Sequence, residues 1–260
     1  MTLQDLLTYS PEVAEARAKG APIVALESTI ITHGMPFPQN VETARLVEAE
    51  VRAHGAVPAT IAIMDGRILI GLTDAQLDSL GQAQNVAKLS RADLAACLAT
   101  GGIGATTVAA TMICAHLAGI KVFATGGIGG VHRGAETSFD ISADLLELAA
   151  TPVTVVAAGA KAILDLPKTL EVLETHGVPV IAVGQDEFPA FWSRSSGLKA
   201  PLRIDDSAQI AAAHRMRGLL ELPGGQLVAI EAEAPRVAAR TVRPDITIPH
   251  VRLPRARAGA

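Results

Sequence analysis

The sequence has little cysteine. Only Cys97 and Cys114 occur among its 260 residues. Both lie in alanine-rich segments that we predict to be helical, so we interpret them as buried small apolar side chains. This cysteine usage is typical of a reducing compartment, and we expect the protein to be soluble and cytoplasmic.

The sequence also lacks an excess of positive charge and an uninterrupted apolar segment. A formal net charge of −4 gives no sign of the positive surface that binding to nucleic acid requires. The first residues, MTLQDLLTYS, have no basic region and include Asp5, so we expect no signal peptide. Residues 94–120 contain no Asp, Glu, Lys or Arg, but glycine and threonine interrupt them and His116 lies among them. We therefore predict core rather than a membrane span.

What the chain does contain is an alternation of two kinds of segment, in a composition that is 49% hydrophobic. Short β-branched runs occur at 21–27, 59–72, 120–127, 152–159 and 178–184, and helical patterns that end at glycine occur at 40–55, 106–119 and 168–177. This alternation predicts an α/β fold with a largely parallel central sheet and helices on both faces. We assign residues 1–235 to a single catalytic domain.

Two local patterns refine this prediction. Asp65-Gly66 stands between two apolar runs, which indicates a hairpin and hence a local antiparallel pair. In the segment 40–55, Val41, Ala44 and Val47 are spaced as on one apolar face of a helix, with Val51 continuing it.

Three predicted strands are followed closely by residues that could bind a ligand or take part in catalysis. Glu27 follows the first strand, the glycine-rich segment TGGIGG (125–130) follows the third, and Lys161 follows the fourth. Ligands of open α/β sheets bind beyond the carboxyl ends of the strands. If these strands are neighbours, a carboxylate, a glycine loop and a lysine converge there.

Each of these features has a structural alternative. Desolvation of Lys161 beside a core strand would lower its pKa and favour an imine-forming amine, whereas a lysine at a helix start would extend into water. The motif ATGGIG, present at 99–104 and 124–129, suits backbone contact with an anion. It suits an ordinary tight turn equally well.

The segment TSFDISADLLELA (137–149) contains Asp140 and Asp144. One interpretation is a helix start, where acidic side chains are favourable. The other is a site for a hard cation such as Mg²⁺ or Mn²⁺, with few protein ligands and several waters. His54, His116 and His176 lie near predicted helix ends, and we interpret them as structural.

Several longer segments together carry a resemblance over residues 20–230. They are ALESTIITHGMPFPQN (25–40), PATIAIMDGRILIGL (58–72), AKLSRADLA (87–95), TTVAATMICAHLAGIKVFATGGIGGVHRGAETSFDISADL (106–145), AGAKAILD (158–165) and GQDEFPAFWSRSSGLKAP (184–201). The chain resembles the pseudouridine-5′-phosphate glycosidases, also called the indigoidine-synthase-A-like family. Members of that family reversibly cleave pseudouridine 5′-phosphate to uracil and ribose 5-phosphate, as homotrimers that use a divalent metal, typically Mn²⁺.

The resemblance implies roles for residues at matching positions. Glu27 is similar to the general acid/base, Lys161 to the nucleophile and Asp140 to the ligand of Mn²⁺ or another divalent cation such as Mg²⁺. The positions that resemble substrate contacts, or lie near them, are Lys88, Thr107, Val108, Thr125, His132, Ser142, Ala143 and Asp144.

The implied reaction explains why a lysine is needed. The base leaves from carbon, and simple departure would place negative charge on a ring carbon. A lysine bound to the first carbon of the ring-opened ribose supplies an iminium as electron sink, while a carboxylate moves protons.

Beyond Gly225 the chain departs from the family pattern, and this departure leaves other functions open. The segment 236–260 is basic and lacks the Thr-Pro-Phe-Leu-like motif and the late Asn of the family, so we expect a divergent, weakly ordered tail. Two alternatives remain: a related enzyme that acts on a C-glycoside of another aromatic ring, and an inactive protein that binds sugar phosphates.

Overall fold

The structure is a computed structural model that describes residues 2–231. The predicted tail, 236–260, and the domain boundary at residue 235 lie outside the described residues. Within 2–231, no helix is long and apolar enough to cross a membrane.

Strands and helices alternate along most of the described chain. The strands are β1 (Leu7–Tyr9), β2 (Ile23–Leu26), β3 (Val57–Met64), β4 (Arg67–Ile70), β5 (Ala87–Leu89), β6 (Gly104–Thr106), β7 (Val122–Ala124), β8 (Thr154–Ala157), β9 (Val180–Ala182), β10 (Leu202–Arg203) and β11 (Gln226–Ala229). The helices are α1 (Leu3–Leu6), α2 (Pro11–Lys19), α3 (Gln39–Ala53), α4 (Asp74–Gln82), α5 (Arg91–Ala99), α6 (Val108–Leu117), α7 (Ala135–Ser138), α8 (Ala143–Ala150), α9 (Leu166–Thr175) and α10 (Ser207–Leu219), and a π-helical turn spans Ile30–Gly34.

One mixed sheet organises these elements. Its strand order is β1-β4-β3-β2-β7-β8-β11-β9-β10, and β6 joins it by pairing with both β3 and β5. The pairs of β3 with β4 and with β6 are antiparallel. The pairs β2–β3, β2–β7, β7–β8, β8–β11 and β9–β11 are parallel. The predicted α/β class with a largely parallel sheet and a local antiparallel pair is therefore confirmed.

The antiparallel pair is the predicted hairpin. Asp65 and Gly66, at its turn, have φ angles of 52° and 70°, the left-handed values that a two-residue hairpin turn requires. The two halves of the long strand β3 pair with different strands. Its residues 57–60 pair with β2, and its residues 61–64 pair with β4.

The three predicted helices form, but the predicted apolar face of α3 is partly wrong. Val41 and Ala44 are buried, whereas Val47 is 42% exposed. Glu48 lies on the buried side instead, where its carboxylate accepts a hydrogen bond of 2.6 Å from the Thr60 hydroxyl. The buried face of α3 thus includes Glu48, paired with Thr60 on β3, in place of the apolar Val47.

The main core runs along both halves of the sheet and includes both cysteines. Cys97 lies in α5 and Cys114 in α6. Burial raises the pKa of the Cys114 thiol to about 12, so this side chain remains a neutral thiol. The interpretation of the cysteines as buried apolar residues is confirmed.

Candidate active site

The strands that carry the three candidate features are neighbours. β7 lies between β2 and β8, with Leu26 opposite Ala124 and Ala124 opposite Val156. Glu27 follows β2 directly, Thr125 follows β7 directly, and Lys161 comes four residues after the end of β8. The carboxyl ends of these strands therefore meet at one edge, which fulfils the condition on which the predicted convergence depends.

Glu27 is held by two hydroxyl groups. The Thr125 hydroxyl donates a hydrogen bond to Oε1 of Glu27, and the Thr29 hydroxyl donates one to Oε2. The Glu27 side chain is half-buried, so its carboxylate is fixed in position but reachable. Thr29, two residues further along the same turn, is a site residue that the sequence motifs did not single out.

Backbone hydrogen bonds join the glycine loop, residues 125–130, to the segment that carries Lys161. The Ile128 N–H donates to the Gly159 carbonyl, and the Lys161 N–H donates to the Ile128 carbonyl, each at 3.0 Å. Lys161 is half-buried, and α9 begins only at Leu166. The Leu164 N–H donates to the Lys161 carbonyl at 3.0 Å, so Lys161 begins a turn beside the loop and does not lie at a helix start.

Asp144 connects the same loop to a helix. Its carboxylate accepts hydrogen bonds from the N–H groups of Ala109 (2.9 Å) and Gly129 (2.8 Å), and the residue is 6% exposed. A Cβ at Gly129 would lie 2.6 Å from Cβ of Ser142 and 2.7 Å from Oδ2 of Asp144, so a side chain there would displace both groups. Asp144 thereby fixes the glycine loop against the first turn of α6.

Thr107 and Val108 stand at that first turn, near Lys88. The Thr107 hydroxyl caps α6 by accepting from the Ala110 N–H, and the Thr107 N–H donates to the carbonyl of Leu89, the residue after Lys88. The Val108 N–H points out of the helix start, where no partner within the helix exists. Lys88 is exposed on β5. A positive side chain and a helix N-terminus, both favourable to anions, thus lie close together.

His132 and Asp140 face each other across a short loop. The His132 N–H donates to the Asp140 carbonyl at 3.0 Å, and Nδ1 of His132 lies 3.9 Å from Oδ2 of Asp140. The Asp140 side chain is 64% exposed. In the described part of the chain, no group of three or more His, Cys, Asp and Glu side chains is arranged to hold a metal. One exposed carboxylate still suits a cation that keeps most of its waters.

Ser142 and Ala143 begin α8. The Ser142 hydroxyl caps the helix by accepting from the Asp144 N–H at 3.2 Å, and the Ser142 N–H donates to the Gly130 carbonyl at 3.0 Å. Asp144 lies in the first turn of α8, whereas Asp140 precedes the helix. The interpretation as a helix start thus describes Asp144, and its carboxylate has a wider role than capping.

The two copies of ATGGIG are not equivalent. The copy at 99–104 ends α5 and leads into β6, while the copy at 124–129 begins at the end of β7. Only the second lies beside Glu27 and Lys161.

An ion pair that the sequence patterns did not indicate supports the same region. Arg91, the first residue of α5, donates hydrogen bonds of 2.7 and 2.8 Å to both carboxylate oxygens of Glu147. Glu147, in α8, is 1% exposed. The hydrogen bonds to Glu147 raise the pKa of the Arg91 guanidinium. Because the two residues are 56 positions apart, only the tertiary fold brings them together.

A groove of about 580 Å³ lies away from these residues. It is lined by residues of two segments, 32–40 and 81–86. Glu27, Lys161 and Asp140 do not line it, so the candidate site is defined by the sheet edge and not by this groove.

Comparison with known proteins places these motifs in a family. Residues 12–247 match the model of the family described as indigoidine synthase A like protein. The pseudouridine-5′-phosphate glycosidase of Jannaschia sp. is 81% identical over 223 residues, which are 86% of this chain and 74% of that protein. The protein of the same name from Paracoccus denitrificans is 73% identical over 237 residues, 89% of this chain and 78% of the relative.

Two solved structures are similar in fold. One is the prealnumycin C-glycosynthase AlnA in complex with ribulose 5-phosphate, with a TM-score of 0.81 and 45% identity over 87% of this chain and 73% of that one. The other is an indigoidine synthase A-like protein from Thermotoga maritima, with a TM-score of 0.78 and 32% identity over 86% of this chain and 73% of that one.

Proposed function

This chain belongs to the indigoidine synthase A-like family, and from that premise we propose that it reversibly cleaves the carbon–carbon glycosidic bond of pseudouridine 5′-phosphate. The products are uracil and ribose 5-phosphate, and one water is consumed. The observation that carries the proposal is the placement of Glu27 and Lys161 at the ends of β2 and β8, on either side of the glycine loop. A relative that is 81% identical bears the name of this activity.

Lys161 is the proposed nucleophile. Its amine attacks the first carbon of the ribose as the bond from that carbon to the ring oxygen breaks and the ring oxygen takes a proton. The nitrogen lone pair then forms a C=N bond while the bond to uracil breaks, and the uracil carbon keeps the electron pair and gains a proton. Water hydrolyses the imine to release ribose 5-phosphate and the free amine.

Glu27 is the proposed proton carrier for the ring oxygen and the uracil carbon. The hydroxyl groups of Thr29 and Thr125 bind one carboxylate oxygen each, so the carboxylate keeps one orientation while it gives and takes protons. General acid–base groups require such placement within hydrogen-bond reach of the reacting atoms.

Residues on either side of Glu27 and Lys161 are the proposed binding groups for the phosphate and the metal. Lys88 supplies a point charge for the phosphate, and the N–H of Val108 at the start of α6 supplies a hydrogen bond. Asp140 would hold Mn²⁺ or Mg²⁺ as a single protein ligand with several waters, next to His132. Such an ion supplies positive charge to order phosphate and base oxygens. Thr107, Ser142 and Ala143 line the site next to these phosphate- and metal-binding groups.

Borohydride trapping tests the proposed nucleophile. Incubation with ribose 5-phosphate and borohydride should add one sugar-phosphate mass per chain, at Lys161 by peptide mapping. Lys161→Ala and Lys161→Arg should both remove adduct and turnover, because a guanidinium stays protonated and cannot attack. Glu27→Gln should slow turnover strongly while the adduct still forms. Near wild-type cleavage by Lys161→Ala would exclude covalent catalysis by this lysine.

The metal and the assembly are tested separately. Activity should disappear after chelation and return with Mn²⁺, and Asp140→Ala should lose activity while circular dichroism shows an intact fold. Full activity in protein shown to be free of metal contradicts the assignment of Asp140 as a metal ligand.

We also propose a homotrimer in the cytoplasm, as the family resemblance implies. Light scattering that gives a monomer mass at micromolar concentration excludes the trimer.

One comparison favours a second candidate. The similarity to a C-glycosynthase at 45% identity suggests a related enzyme that joins ribose 5-phosphate to another aromatic ring. Product analysis with uracil and with other aromatic rings distinguishes the two. An inactive binding protein would bind ribose 5-phosphate without turnover in either assay.

A further inference from the structure

Two aromatic side chains beside the lysine segment have no role in the reaction as described. Phe191 and Trp192 belong to the loop of residues 184–199, which follows β9. Trp192 is the single tryptophan of the chain and is 74% exposed. A large aromatic side chain left uncovered at the edge of a candidate site indicates a surface that a ligand or partner covers.

The loop lies directly against the catalytic segments. The Phe191 N–H donates to the Ala158 carbonyl at 3.0 Å, three residues before Lys161. The Phe191 ring lies against Gly127, where a Cβ would be 2.6 Å from a ring carbon, and Gly127 is two residues after Thr125. Gly127 therefore makes room for an aromatic ring between the Glu27 and Lys161 sides of the site.

Internal hydrogen bonds hold the loop in one conformation. Gln185, 8% exposed, donates from Nε2 to the carbonyls of Glu187 (2.7 Å) and Arg194 (2.8 Å), so it joins both ends of the loop. The Glu187 carboxylate accepts from the Ser195 hydroxyl at 2.6 Å and from the N–H of Gly197 at 3.0 Å. Trp192 is therefore presented by a preorganised loop, which lowers the entropy lost on binding.

The backbone at Phe191, the first residue of the aromatic pair, is strained. Phe191 has a φ of 60°, a left-handed value that is unfavourable for a bulky residue and is concentrated at functional sites. The two rings contact edge to face, with centroids 4.5 Å apart and planes at 73°. Because Trp192 is 74% exposed, much of the indole remains open to a ligand.

We propose that Phe191 and Trp192 form an aromatic platform for the planar base of the substrate, with the base stacked on Trp192. This inference rests on the proposed function and deepens it, because it assigns the base end of the site. Every nucleobase presents a π-face to an aromatic side chain, so the platform binds uracil by its plane. The sugar phosphate lies toward Lys161 and Lys88 and does not touch the indole.

The single tryptophan provides a direct measurement. Uracil should quench the fluorescence of the wild-type protein in a saturable manner, whereas ribose 5-phosphate alone should leave the emission nearly unchanged. Pseudouridine 5′-phosphate should quench the Lys161→Ala variant, which does not turn it over. Quenching by ribose 5-phosphate but not by uracil overturns the platform.

Matched variants provide the second measurement. Trp192→Ala should weaken uracil binding roughly 5-fold or more, as measured by calorimetry, since stacking is worth about 1–3 kcal/mol per base. Trp192→Phe should retain most of the affinity, and ribose 5-phosphate affinity should change in neither variant. If Trp192→Ala binds uracil as tightly as wild type and cleaves pseudouridine 5′-phosphate with unchanged KM, the platform is wrong and the proposed function stands. If uracil never binds but another aromatic ring quenches Trp192, the proposed substrate is wrong and the platform stands.

Discussion

Replacement of Asp144 by asparagine is expected to destabilise the protein even in the absence of substrate. The Asp144 carboxylate accepts from two backbone N–H groups, of Ala109 and Gly129, in a buried position. An asparagine can accept from only one of them and turns its NH₂ group toward the other donor. A hydrogen bond to a charged group is worth about 1.5–3 kcal/mol. We therefore expect Asp144→Asn to lower the free energy of unfolding by about 2 kcal/mol and Asp144→Ala by about 4 kcal/mol.

Urea unfolding followed by circular dichroism measures this loss, and the chain offers a matched control. Asp74 lies in the first turn of α4, as Asp144 does in α8, but its side chain is 90% exposed. Asp74→Asn should therefore change the free energy of unfolding by less than about 1 kcal/mol, through the helix dipole and a surface ion pair with Arg45.

The result separates two roles for Asp144. If its carboxylate acted only as a substrate contact, Asp144→Asn would raise KM without a change in the free energy of unfolding. If it fixes the glycine loop to α6, stability and kcat both fall, since loop 125–130 then shifts relative to Glu27. Equal stability of Asp144→Asn and Asp74→Asn would refute the reasoning.

Two further predictions concern other parts of the fold. Arg91→Ala should lower the free energy of unfolding by about 2 kcal/mol in urea, because the buried Glu147 carboxylate loses both hydrogen bonds from Arg91 and keeps the one from the Thr151 hydroxyl. Arg91→Lys should lose less stability than Arg91→Ala, and an Arg91→Ala variant as stable as wild type excludes this account. Desolvation, with Lys121 and Arg217 nearby, lowers the pKa of His214, whose Nδ1 lies 3.0 Å from the Thr154 hydroxyl. As pH falls, His214 is therefore protonated in the unfolded chain before it is protonated in the folded protein, and Tm should fall as pH drops below about 6.5. Thermal melts from pH 8 to 5 should show a smaller fall for His214→Asn, and an unchanged slope contradicts the assignment.

The strand ends that form the candidate site could be predicted because they depend on local patterns. Each β-branched run before Glu27, Thr125 and Lys161 forms a parallel strand, and parallel strands place their carboxyl ends together. The strand order could not be predicted in the same way. β11, at Gln226–Ala229, inserts between β8 and β9, and no pattern in its own four residues indicates which neighbours it has.

The supporting contacts could not be predicted because they join distant segments. The Arg91–Glu147 pair and the contact of Phe191 with Gly127 join residues 56 and 64 positions apart. Neither residue of either pair has a local pattern that requires the other. The same holds for Glu48, whose burial in α3 is explained by Thr60 on β3.

Helix α8 shows how a failed pattern can still indicate a site. In a surface helix, the apolar residues face the core and the acidic ones face water. Here Leu145 and Leu148 are buried as expected, yet Leu146 is 55% exposed while Asp144 and Glu147 are 6% and 1% exposed. The two acids lie three residues apart and therefore on one face of the helix, beside the core leucines.

Buried carboxylates require strong partners, because an unpaired buried charge is highly unfavourable. Those of α8 find theirs at the first turns of two other helices: Asp144 binds Ala109 in α6 as well as Gly129 in the loop, and Glu147 binds Arg91 in α5. Helix α6 begins at Val108, and the segment before α5 carries Lys88. One helix with acids on its buried face thus sets the relative positions of the glycine loop and of both proposed phosphate-binding segments. A perturbation of α8 should accordingly affect phosphate binding and loop geometry together, and not one without the other.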